Sequence, residues 1–229
     1  GGRTSGGTLR ASAERYHPRS GTWRPTASMG TARWNAAGTL LADGRVLVTG
    51  GWNGADLATA EIYDPVSETW TPTAGTMSVA RSRHDVLLLP SGRVLVGGGL
   101  GANNVELFDP ATGTFSNLGL PAAIHGDRYT LSLLPNGRAL LAGGFGAPTS
   151  AEAFDPVTAS WTPLPALGPG RDGHTATVLL VRGVLLAGCD GSADTSTARL
   201  NVGRGESPAW RPAVAGVNDP IVTGGALAV

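Results

Sequence analysis

Lysine is absent from this 229-residue chain, and cysteine occurs once, at Cys189. A single cysteine excludes an internal disulfide framework and a cysteine-built metal cluster. All 17 basic residues are therefore arginine, and 17 acidic residues balance them to a formal charge of zero. No block of like charge interrupts that balance, so neither nucleic acid nor an anionic membrane is an expected partner. No apolar run approaches the ~18 residues that a membrane span needs. No basic segment followed by an apolar one opens the chain, so a signal peptide is not expected within it. Catalytic signatures are missing too: there is no Gly-x-Ser-x-Gly elbow, no His-Glu-x-x-His, no phosphate loop and no calcium loop of the helical kind. Almost nothing has helical periodicity. The all-arginine basic set, with 35 glycines, is the composition expected of a high-GC bacterial gene.

What the chain does have is one phrase written four times, with a worn fifth copy. It reads Ala60-Glu61-Ile62-Tyr63-Asp64-Pro65 running to Trp70, Val105-Glu106-Leu107-Phe108-Asp109-Pro110 running to Phe115, and Ala151-Glu152-Ala153-Phe154-Asp155-Pro156 running to Trp161. An earlier copy runs from Ala13 to Trp23. The closing aromatics at 23, 70, 115, 161 and 210 lie 47, 45, 46 and 49 residues apart. A fixed period in that range means a repeat architecture. Residues 77–116 give the clearest unit. Arg83 to Leu89 is an apolar run of strand length, Pro90-Ser91-Gly92 is a turn, and Arg93-Val94-Leu95-Val96 is a second strand ending at Gly97-Gly98-Gly99. Val105 to Phe108 alternates as a third strand, Asp109-Pro110 breaks it, and Thr112 to Phe115 turns into a fourth. Four short antiparallel strands per repeat make one propeller blade.

The glycine pair after an apolar strand, then an aromatic, then a tryptophan at fixed distances resembles the kelch repeat. The stretch 43–70 is similar to bacterial kelch domains, including those of galactose-oxidase-like proteins. The last repeat departs from the pattern, with Ala198-Arg199-Leu200-Asn201-Val202 in place of Glu-x-Tyr-Asp-Pro and Cys189 in place of the second glycine. The expected fold is all-β: one domain over 1–229, a kelch-type β-propeller of about five four-stranded blades. Its repeats cover about 1–26, 27–72, 73–118, 119–164 and 165–212. Gly1-Gly2 reads as the glycine pair of a blade whose first two strands are missing, and residues 213–229 are expected to complete that split blade. Thr223 stands as far beyond Trp210 as His174 stands beyond Trp161. A closed ring implies a monomer; an open one would leave edges able to pair with a second copy. A five-blade segment of a six- or seven-bladed parent is the other architecture the count allows.

In such propellers the loops leading into the innermost strands, and those after the glycine pairs, converge on one face, where ligands dock on a rigid scaffold. The candidates there are Arg33, Trp34, Trp52, Asn53, Arg81, Arg83, His84, Arg128, Tyr129, Arg171 and His174. Several arginines on one rim would suit a carboxylate, a sulfate or an acidic glycan; the structural alternative pairs each with an aspartate such as Asp85, Asp127 or Asp172. Arg83 and Arg128 stand in register, where some kelch adaptors resemble this pattern and hold acidic peptides. Trp34 and Trp52 fall outside the repeated phrase and suit a sugar platform. His84 and His174 share one position with Tyr129 between them, a set that could ligate a metal but is more simply read as hydrogen-bonded and structural. Glu61, Glu106 and Glu152 are read as structural. The expected function is a non-catalytic binding scaffold for a protein, peptide or anionic ligand, with no catalytic residues, metal or cofactor, in a secreted or cell-surface bacterial protein. The alternatives are a carbohydrate-binding or galactose-oxidase-like domain, and an excised or engineered array with no ligand of its own.

Overall fold

Apolar runs of four or five residues separated by turn glycines can only form short strands, and that is what they do. The computed structural model describes residues 1–100, 102–168, 170–179, 183–188, 198–201 and 209–212, the last two stretches as backbone. No helix occurs among them. The chain opens with two ribbons: β1 (Gly2–Arg3) pairs with β2 (Leu9–Arg10), and β3 (Ala13–His17) pairs with β4 (Thr22–Thr26). Four antiparallel four-stranded blades follow. They comprise β5 (Ala37–Leu40), β6 (Val46–Thr49), β7 (Ala60–Asp64) and β8 (Thr69–Pro72); then β9 (Asp85–Leu88), β10 (Val94–Gly97), β11 (Val105–Asp109) and β12 (Thr114–Asn117). After them come β13 (Thr130–Leu133), β14 (Ala139–Ala142), β15 (Ala151–Asp155) and β16 (Ser160–Pro163); then β17 (Thr175–Leu179), β18 (Gly183–Ala187), β19 (Ala198–Asn201) and β20 (Ala209–Pro212). In every blade strand order follows chain order, and the first strands β5, β9, β13 and β17 touch one another in succession.

The core is a series of apolar seams between blades. Because successive side chains on a strand point to opposite faces, a middle strand serves two seams at once. Val94 and Val96 of β10 pack back on Leu47 and Ile62 of the preceding blade. Leu95, between them, packs forward with Tyr129, Leu141 and Phe154. The third seam joins Leu140 and Ala151 to Val184 and Leu186. All four residues of β10, and all four of β14, are consequently buried. Two aromatic pairs lie in these seams with ring centroids about 5 Å apart, Phe108 with Phe115 and Phe154 with Trp161. Tyr63 and Trp70, 5.0 Å apart, instead face the β3–β4 ribbon, where the Tyr63 hydroxyl meets Thr26 and the Trp70 indole donates to the Ala27 carbonyl.

The β3–β4 ribbon shows the same logic by contrast. Tyr16 and Trp23 also stack, at 5.1 Å, yet are 47% and 64% exposed, against 0% for Phe108. Among the described residues nothing covers their face, and β3 pairs along one edge only, with β4. A hollow of about 300 Å³ lined by Ala13, Met29, Ala37, Gly38 and Val48 lies beside that open edge. The amide of Gly2 donates to the carbonyl of Arg33 at 2.9 Å, as that of Gly51 does to Arg81. Gly1-Gly2 therefore occupies the place of a glycine pair in its blade. The expected closure by residues 213–229, the substituted Cys189 and the loop around Asp190 to Asp194 all lie outside the described residues.

Candidate functional site

Each blade begins where its second strand ends, since Ala37 pairs with Thr49, Asp85 with Gly97 and Thr130 with Ala142. The loops into the first strands and those after the glycine pairs therefore share one end of the molecule, the mouth. Two concentric sets of residues form it. The inner set consists of the residues two before each first strand: Asn35, Arg83, Arg128 and Gly173. All four have left-handed backbone, with φ of 52°, 55°, 62° and 62°. Three of them are not glycine, and a side chain in that region costs on the order of 1 kcal/mol. Backbone bonds link the set, from the Arg83 amide to the Asn35 carbonyl at 3.0 Å and from Gly173 to Arg128 at 2.9 Å.

The outer set follows the glycine pairs. Trp52 donates its amide to the Trp34 carbonyl at 2.7 Å, Leu100 to Ser82 at 3.0 Å and Phe145 to Asp127 at 3.0 Å. The glycines make this crossing possible. A Cβ on Gly98 would stand 1.9 Å from the Tyr129 ring, and one on Gly50 would stand 2.4 Å from the Arg81 carbonyl.

The arginines divide into two kinds, which corrects the rim expected from the sequence. Arg33, Arg81 and Arg171 are not on the rim; each is 1% exposed or less. Arg81 donates to the carbonyls of Gly98 (3.1 Å) and Asn104 (3.0 Å), to the Asn104 side chain (2.8 Å) and to Glu106 (2.7 Å). Arg33 repeats this with Gly50 and Glu61, and Arg171 donates to the Gly188 carbonyl at 2.8 Å. The glutamates also accept from the backbone of the incoming loop: Glu61, partner of Arg33, from Gly30 and Thr31; Glu106, partner of Arg81, from Ser78; and Glu152 of the next blade from Ala122 and Ala123. Each pair clamps a crossover to its blade. The clamp partners are glutamates and not the nearby aspartates, because only the start of the third strand lies beneath the crossover.

One clamp residue escaped the sequence reading. In the third complete set the arginine's place is taken by His125, with Nδ1 2.6 Å from the Gly143 carbonyl and Nε2 3.1 Å from Glu152. The signal was present: the separations to Glu61, Glu106 and Glu152 are 28, 25 and 27 residues. In the last blade Ala198 takes the glutamate's position, pairing across the ladder with Leu186 as Glu152 pairs with Leu141.

Arg83 and Arg128 are the second kind. Their side chains are 39% exposed, above Asp127 and Asp172 at 8% and 19%. Arg83 and Arg128 approach Asp127 at 3.7 and 3.8 Å, and Arg128 approaches Asp172 at 3.9 Å. These are separations for Coulombic attraction, longer than a hydrogen bond. The two arginines are the more exposed members of these pairs, and the aspartates are the more buried.

Trp34 and Trp52 pack on each other edge to face at 6.3 Å, and Arg3 lies 5.2 Å over the Trp34 ring. Both are half-buried, while Asn53 is exposed in the turn that follows. His84 and His174 stack at the start of their blades with Nε2 bound to Thr49 (2.7 Å) and Thr130 (3.0 Å). Burial first, then Arg81, lowers His84 to a pKa of about 3. Burial and then Arg171 lower His174 to about 4. Both imidazoles are neutral at pH 7. Burial pushes the Tyr129 phenol well above its ordinary value, and burial raises Asp85.

Residues 33–76 match the Kelch motif. A copper complex of a fungal alcohol oxidase of the AA5 family superposes over 92% of the chain with a TM-score of 0.74 and 21% identity. The fold is a β-propeller that carries a Kelch motif. YjhT superposes over 72% of it with a TM-score of 0.60 and 16% identity. The propeller spans only 48% of the oxidase chain and 62% of YjhT. No curated protein matches it in sequence.

Proposed function

We propose that this propeller is a non-catalytic binding scaffold whose mouth takes an anionic ligand, with Arg83 and Arg128 as the contacting cations. The observation that carries the reading is their placement: two in-register arginines with side chains 39% exposed stand on left-handed backbone, a conformation that clusters at functional sites, on either side of the more buried Asp127. A planar guanidinium suits a carboxylate or sulfate. Arg33, Arg81 and Arg171 take no part, since their donors serve the fold. The even charge distribution supports a protein, peptide or glycan partner over nucleic acid, and the all-arginine, glycine-rich composition supports a bacterial gene.

The test is titration of the full chain with fluorescein-labelled hexa-aspartate and with heparin-derived hexasaccharide, at low and high salt. Binding is expected to weaken as salt screens the exposed charges, and to fall about tenfold in Arg83→Gln and Arg128→Gln. Absence of binding to either polyanion would leave the chain as a repeat array without this ligand.

Likeness to an alcohol oxidase favours a second reading, a copper-centred oxidase domain, and the residues present do not fit it. His84 and His174 spend Nε2 on threonines, and the Tyr129 phenol is enclosed against Gly97 and Gly98. Among the described residues no cluster of three His, Cys, Asp or Glu side chains gathers. The Trp34–Trp52 pair keeps the carbohydrate alternative in view, and the hexasaccharide titration addresses it.

A further inference from the structure

Three apolar side chains stand exposed around those two arginines, and no part of the clamp, seam or turn chemistry uses them. Phe145 is 71% exposed, Ile124 58% and Leu100 43%. They are remote in sequence and adjacent in the fold. The Leu100 amide bonds to Ser82, next to Arg83, and the Phe145 amide bonds to Asp127, next to Arg128. The loop 124–128 lies between them, because the Gly99 amide donates to Gly126 at 3.0 Å and the Gly146 amide donates to His125 at 3.1 Å. A Cβ on Gly146 would stand 2.3 Å from the Ile124 carbonyl, so Ile124 borders the Phe145 turn. The mouth over the third and fourth blades is thus an apolar arc around two cations. In the second blade the post-glycine position holds Trp52, which extends the arc.

We infer that the occupant of this mouth is an extended protein segment in which acidic residues sit beside large apolar ones, the carboxylates meeting Arg83 and Arg128 and the apolar side chains resting on Leu100, Ile124 and Phe145. The proposal rests on the anion-binding reading above and adds the class of partner. Charge complementarity selects the acidic part: the Arg83 and Arg128 side chains are 39% exposed, while Asp127 and Asp172 beside them are 8% and 19% exposed. The apolar arc selects against a simple polyanion or a sulfated sugar, since neither would cover Phe145. A row of exposed apolar side chains rimmed by charge is how a protein-binding surface is built.

The experiment is selection of a phage-displayed random dodecapeptide library on the full chain, with anisotropy measurements on the enriched peptides. Enrichment of Asp or Glu within two residues of Leu, Ile, Phe or Trp is expected. Leu100→Ser and Phe145→Ser should each weaken binding about fivefold, the effect of uncovering part of one apolar side chain, with the salt dependence unchanged. Phe145→Leu should retain most of the affinity. Arg83→Gln should weaken binding and flatten its salt dependence. Because Phe145 and Leu100 contribute to none of the buried seams, circular dichroism of the variants should match the parent. Three results would overturn the proposal: selected peptides that are acidic without apolar neighbours, affinities indifferent to Leu100→Ser and Phe145→Ser, or no enrichment. The first two leave the anion-binding mouth standing. Peptides without acidic residues, indifferent to Arg83→Gln, would remove both.

Discussion

Removing one partner of the Arg81–Glu106 clamp tests the claim that the sequence-repeated arginines and glutamates are structural. In Arg81→Met the side chain keeps its apolar stem and loses five hydrogen bonds, of 2.7 to 3.4 Å, to Glu106, Asn104 and the Val79, Gly98 and Asn104 carbonyls. Glu106, with its side chain 1% exposed, is left as a buried carboxylate supported by the Ser78 amide. Breaking one side of a buried ion pair costs about 3–5 kcal/mol, roughly a fifth or more of the stability of an ordinary domain. In Arg81→Met/Glu106→Leu the stranded charge is gone, and what remains is the unpaired carbonyls and the Ser78 amide, each worth about 1 kcal/mol. The double variant should therefore be no less stable than Arg81→Met alone, with a strongly favourable coupling between the sites. Urea unfolding followed by tryptophan fluorescence, with the slope m compared across the cycle, measures both quantities. A loss below about 1 kcal/mol in Arg81→Met, or strict additivity in the double variant, would refute the clamp.

Two further expectations follow from the same geometry. His84 is held at a pKa of about 3, below the ~6.5 of an unfolded histidine. Between those values the unfolded chain binds a proton that the folded chain refuses, so stability is fully present above pH 6.5 and declines as pH falls toward 3, by up to about 1.4 kcal/mol per unit from this residue. His84→Ala, the residue found at the equivalent Ala36, should flatten that dependence between pH 6.5 and 4 in urea titrations at fixed ionic strength. An unchanged profile would mean that His84 is not the linked group. Gly98→Ala places a Cβ against the Tyr129 ring on backbone with φ of 64° and should cost about 2–4 kcal/mol. Gly92→Ala, at φ of 80° with nothing within 4 Å, should cost only the left-handed strain of about 1–2 kcal/mol. Thermal melts showing equal shifts for the two would contradict the steric account.

The mouth was legible in part. Loop position was readable because chain order and strand order coincide in an antiparallel blade, so the residues flanking each strand could be assigned to one end. Whether an arginine in such a loop faces solvent was not readable. Arg81 and Arg83 are two residues apart in one loop, one buried and one exposed. The difference arises from the left-handed turn at Arg83, which sends its side chain outward while Arg81 dips beneath the crossover toward Glu106. The glutamates carried a clue in their recurrence, but recurrence alone does not name a partner.

Periodicity by itself determined the architecture. A phrase of apolar runs, turn glycines and a closing aromatic, repeated at nearly constant spacing, admits four-stranded blades packed face to face, because each blade must bury both faces against neighbours. The type of each strand, the end at which ligands can dock and the structural character of the glutamates all follow from that local pattern. Tertiary structure decided what depends on contacts between blades. It set aside Arg33, Arg81 and Arg171 as clamps, paired Trp34 with Trp52, placed His125 in an arginine's role, and brought Leu100, Ile124 and Phe145 beside Arg83 and Arg128. Those outcomes hinge on which side chains cross from one blade to the next, over distances of a few ångströms between residues tens of positions apart. A one-dimensional repeat carries no record of that distance.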